Sequence, residues 1–109
     1  MPEKHIKYHH VETEGCEGVS YVTVENQKFV HVLYAFVLTY GRRSVSHQEI
    51  FELAVEEGII PGNNEPNGGG VYNFHTREVS ASINFGLPDE VVNDRIIDFF
   101  QRKQFEKRC

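Results

Sequence analysis

Lys28 to Tyr40 reads KFVHVLYAFVLTY, and the fold turns on this stretch. It is rich in β-branched and aromatic residues, and apolar side chains stand at both odd and even positions. Such a stretch suits a central strand covered on both faces; its composition favours strand over helix. Gly41-Arg42-Arg43 closes it. Upstream, Val19 to Glu25 (VSYVTVE) alternates with period two, and Glu25-Asn26-Gln27 supplies a turn, which predicts a hairpin. Downstream, Ser46 with Glu49 three residues later forms a capping box. Apolar positions 50, 53 and 54 then recur at helical spacing and Gly58 provides a stop, predicting a helix from His47 to Glu57. Ile59 to Gly70 reads as a loop.

The second half repeats the plan. Val71 to Phe74 and Glu78 to Phe85 are predicted strands around His75-Thr76-Arg77. Gly86-Leu87-Pro88-Asp89-Glu90 opens a second helix, with proline at an early position and acids in the first turn. Val91, Val92, Ile96, Ile97, Phe99 and Phe100 form its apolar face. The order is ββαββα. Hairpins force antiparallel neighbours, so the reading is α+β: an antiparallel or mixed sheet with two helices packed on one face of it. Residues 1–18, with little apolar periodicity, read as a flexible tail. Residues 19–109 read as a single α+β domain.

Composition narrows the function classes. The 11 Lys and Arg against 16 Asp and Glu leave a net charge of −5, which disfavours nucleic-acid binding driven by bulk charge. The apolar run Val30 to Leu38 contains His31 and is too short to span a bilayer. Met1-Pro-Glu-Lys-His lacks a basic-then-apolar leader pattern, so a cytoplasmic location is the expectation. Cys16 and Cys109 are too few for a disulfide scaffold; they read first as free thiols and second as a bridged pair.

Five features could carry chemistry. His47 opens a helix, where unsatisfied N–H groups and the dipole favour an anion, and imidazole titrates near neutrality. That pairing suits phosphoryl binding with proton transfer. An exposed polar residue beside a helix cap is the commoner meaning of the same letters. Gly68-Gly69-Gly70 matches neither a Walker loop nor a dinucleotide fingerprint, and reads first as a lead-in to the strand at Val71. Ser82 ends a strand and could donate to a phosphate oxygen. Arg42 and Arg43 beside the cap could attract an anion as accessory groups. His5, His9 and His10 would suit a metal only in a fixed scaffold, so no metal and no cofactor is expected.

Read in order, Lys28-Phe29-Val30, His47-Gln48-Glu49-Ile50-Phe51-Glu52, Gly68-Gly69-Gly70 and Ser82-Ile83-Asn84-Phe85-Gly86 resemble the motifs of the Janus/ocnus family, the small phosphohistidine phosphatases. The resemblance covers about residues 28–100. It implies a metal-independent phosphatase acting on phosphohistidine or phospholysine, with a phosphorylated protein or small phosphoramidate as substrate. His47 would be general base or nucleophile. Lys28, Ser82 and the helix-start amides, Gln48 among them, would hold the phosphate. The chain departs from the family pattern where Phe85 stands for a tyrosine and where Ser80-Ala81 precede the serine.

The competing reading is a non-enzymatic acidic module that binds a protein or ligand through its glutamates and the loop from Ile59 to Gly70. A homodimer is compatible with both. The enzyme reading requires Lys28, His47 and Ser82 to converge.

Overall fold

The computed structural model describes residues 5–13, 15, 17–37, 46–62, 64–82 and 85–103. Its elements are β1 (His5–His10), β2 (Gly18–Glu25), β3 (Phe29–Val37), α1 (His47–Glu56), β4 (Gly68–Asn73), β5 (Val79–Ala81) and α2 (Glu90–Lys103). The strands form one mixed sheet in the order β1-β3-β2-β4-β5. The class is α+β, as the sequence reads. β1 runs parallel to β3, and the other pairs are antiparallel.

The tail expected over 1–18 is corrected from His5 onward. The sequence HIKYHH hides its alternation, because three histidines make it look polar throughout. Ile6 is buried in the core and Tyr8 packs against it, both on one side of the strand. Beyond β1, the buried Val11 donates its N–H to Tyr34 O at 2.8 Å. The Thr13 hydroxyl donates to Phe36 O at 2.6 Å.

The helices do not share a face. Even-numbered β3 residues Val30, Val32, Tyr34 and Phe36 pack with Ile96 and Phe100 of α2. Odd-numbered Leu33 and Ala35 pack with Ile50 and Ala54 of α1. Successive strand residues point to opposite faces, so one helix covers each. The two-sided apolar pattern of β3 demands this: a single covered face would leave Leu33 or Tyr34 in water.

Several boundaries shift for local reasons. Asn26 Oδ1 accepts the N–H groups of Lys28 and Phe29 at 2.8 and 2.7 Å, closing the β2–β3 turn. At the β4–β5 turn Asn73 Oδ1 accepts from His75 and Thr76, so β4 ends at Asn73. β5 stops at Ala81 because the chain turns at once: Gly86 N–H donates to Ser82 O at 2.9 Å. Pro88 precedes α2 instead of lying in it. Asp89 is the cap, its carboxylate accepting from Val91 N–H at 3.1 Å.

The glycine run is part of β4, not a lead-in to it. A Cβ on Gly68 would meet the Pro88 backbone at 2.9 Å, and one on Gly70 would meet Ser80 O at 2.8 Å. These positions are glycine because neighbouring backbone comes too close for any side chain.

Candidate functional site

Ser46 caps α1, its hydroxyl accepting from Glu49 N–H at 3.1 Å. Ile50 N–H bonds Ser46 O at 3.1 Å. Helix geometry gives the N–H groups of His47 and Gln48 no intrahelical acceptor. His47 is half-buried on the first turn. Its Nε2 lies 2.9 Å from the carbonyl oxygen of Gly70. A carbonyl only accepts, so Nε2 carries a proton, and in the neutral ring the lone pair is on Nδ1.

Gly69 is where the site comes together. A Cβ there would lie 2.7 Å from Tyr21 O, 3.2 Å from His47 Cδ2 and 3.6 Å from Ser82 Cβ. His47 and Ser82 therefore flank one bare stretch of backbone. Ser82 is buried. Its N–H donates to Gly69 O at 3.1 Å, and its Oγ accepts from Phe85 N–H at 3.3 Å. Because that bond uses an Oγ lone pair, the hydroxyl proton is left for another acceptor.

Lys28 does not join them. It sits exposed in the β2–β3 turn. Gly70 lies opposite Tyr21, and Glu25, the last β2 residue before that turn, is about 13 Å further along the strand at ~3.3 Å per residue. A cavity of about 310 Å³ at this turn is lined by Asn26, Gln27, Lys28 and Phe29, far from His47. The Gln48 side chain donates to Glu52 along the helix at 3.3 Å, which leaves its backbone N–H as its part in the site. Arg42, Arg43, Cys16 and Cys109 lie outside the described residues. Among the described residues no group of three or more His, Cys, Asp or Glu is placed to hold a metal ion. Among them, too, no helix is long and apolar enough to cross a membrane.

Sequence reasoning missed the Gly70 carbonyl as the group that fixes the His47 tautomer. Only the β2–β4 register brings that carbonyl under α1, and no local motif encodes it. It also missed a second cluster. His9 Nε2 and His31 Nδ1 are 3.0 Å apart across β1 and β3, and Lys7 Nζ lies 4.0 Å from the centre of the Phe29 ring. No local signal placed His9 on a sheet face, because three histidines mask the alternation of HIKYHH until the burial of Ile6 and Tyr8 is seen.

No family model matches the chain, and neither a curated protein nor a solved structure matches it.

Proposed function

We propose that the backbone between His47 and Ser82 is a phosphoryl site, and that the protein is a metal-independent phosphatase acting on phosphohistidine or phospholysine. The observation that carries this is the bond from His47 Nε2 to Gly70 O. It fixes a neutral tautomer whose Nδ1 can take a proton, on a residue at a helix N-terminus suited to an anion.

In this reading the His47 and Gln48 amides and the Ser82 hydroxyl hold the phosphoryl oxygens. Water attacks phosphorus as His47 Nδ1 takes its proton. The P–N bond breaks, and the leaving nitrogen receives a proton from the imidazolium, which restores the enzyme. Attack by Nδ1 itself would leave an acid-labile phosphoenzyme instead. Lys28 stands apart in the β2–β3 turn, so the three-residue convergence required above fails, and the proposed site is narrowed to His47, Ser82 and the helix-start amides around Gly69. The motif resemblance to the Janus/ocnus phosphatases supports the same residues, His47 and Ser82.

The test is phosphate release from phosphohistidine and phospholysine substrates in excess chelator. Wild type should turn over. His47→Ala and Ser82→Ala, each with wild-type circular dichroism, should lose activity, His47→Ala the more. No release by folded wild type overturns the proposal and leaves the acidic binding module as the reading to pursue.

A further inference from the structure

β1 is an edge strand, and one side-chain contact ties it to the rest of the sheet with a fixed proton count. Asn26 Oδ1 is held by the Lys28 and Phe29 amides, which turns Asn26 Nδ2 toward His31 Nε2 at 3.4 Å. An amide N–H donates, so His31 Nε2 accepts and its proton sits on Nδ1. That Nδ1–H donates to His9 Nε2 at 3.0 Å. The chain of donors runs one way, from the β2–β3 turn through β3 to β1.

Such a chain tolerates one extra proton at most. A second proton would put N–H against N–H across the 3.0 Å contact. Among the described residues the surroundings offer no relief. On this face β1 presents His5, Lys7 and His9, β3 presents Phe29, His31, Leu33, Ala35 and Val37, and β2 presents Ser20, Val22 and Val24. None is a carboxylate. Glu25 falls on the opposite face by alternation and takes the Asn67 amide. α1 lays Ile50 and Ala54 here, while Glu49, Glu52 and Glu56 are exposed. Lys28 in the turn adds only positive charge.

We propose that the His9–His31 pair is an acid-released latch on strand β1, which holds β1 against β3 near neutral pH and lets it go when both rings are protonated. Burial first, then the neighbouring charge of Lys7 and, for His9, of His31, lowers both pKa values below the ordinary histidine value. The sign follows. The released strand binds protons from about pH 6.5 downward, whereas the docked pair binds them only at lower pH. The latch is therefore at full strength above about 6.5 and weakens as pH falls toward the depressed values. Release uncovers the N–H and C=O groups along the outer edge of β3, a template for pairing with another strand.

The experiment is amide hydrogen exchange resolved by residue at about pH 7.5 and about pH 5, corrected for intrinsic rates. In wild type, protection at β1 should fall several-fold in acid while Val22 of β2 and Tyr72 of β4 keep theirs. His31→Asn places an amide N–H where Nδ1 stands, and a flipped amide can accept from protonated His9. It should hold β1 protection level across the same range. His9→Gln, with its amide oxygen in place of Nε2, should do the same from the other side. Constant β1 protection in wild type overturns the proposal. So does a fall that β2 and β4 share, or an equal fall in both variants.

Discussion

The two faces of the sheet are built differently. The α2 face is aromatic: Tyr21, Tyr34, Phe36, Tyr72, Phe74 and Phe100 are all buried there. Their rings touch in sequence, with Tyr34–Phe100 and Tyr72–Phe74 centroids 5.7 Å apart and Phe36–Phe74 at 6.2 Å. The α1 face is aliphatic and smaller: Val22, Val24, Leu33, Ala35, Ile50 and Ala54. Large rings bury the most area per residue and dominate core energetics. Small side chains do something else. They let α1 lie close enough for His47 to reach the backbone of β4. They also leave room on the same face for His9 and His31. The aromatic face holds the fold, and the thin face carries the polar groups that could do chemistry.

That contrast can be broken. Phe100→Ala, in the aromatic layer, should cost about 3–5 kcal/mol in chemical denaturation. Ile50→Ala on the thin face should cost less, toward the lower end of about 2–5 kcal/mol. If Ile50→Ala proves the more damaging, the division of labour between the faces is wrong. His47→Ala sharpens the contrast from the other side. Phosphate release should drop by about 10²-fold or more, while stability should change by only ~1 kcal/mol, the net worth of one hydrogen bond.

Gly69→Ala tests the junction. Its Cβ would press on the Tyr21 carbonyl and on the His47 ring, so a loss of about 1–3 kcal/mol is expected by overpacking. Activity should fall with it, because His47 must move; unchanged turnover would show that Gly69 does not shape the site. The smallest effect is at the cap. Ser46→Ala should cost about 1 kcal/mol in thermal or denaturant unfolding, through the lost Glu49 N–H bond. A neutral Ser46→Ala would mean that packing of Ile50 and Ala54 alone fixes where α1 begins.

Much of this was readable in the letters. The capping box placed the start of α1 at His47, because a hydroxyl and a glutamate three residues apart act locally. The alternation of Val19 to Glu25 and the apolar run from Lys28 located β2 and β3. β1 was not legible, since its histidines disguise a period that only burial of Ile6 and Tyr8 exposes. The glycine run misled in another way: glycine marks either freedom or close approach, and the sequence does not say which. Gly69 is the second case, with Tyr21 O on one side and His47 on the other.

The site divides along the same line. His47 and Ser82 could each be nominated from local context, one by its helix cap and the other by its strand end. Lys28 was nominated only by the motif resemblance, and the register of β2 against β4 left it at the far end of the sheet. By itself the sequence determined the α+β class, the principal elements and the apolar pattern of β3, because capping and periodicity act within a dozen residues. Only the tertiary structure decided which helix covers which face, which carbonyl fixes the His47 proton, and that His9 meets His31. Those depend on strand order and register, where a one-residue slip sends every side chain to the other face.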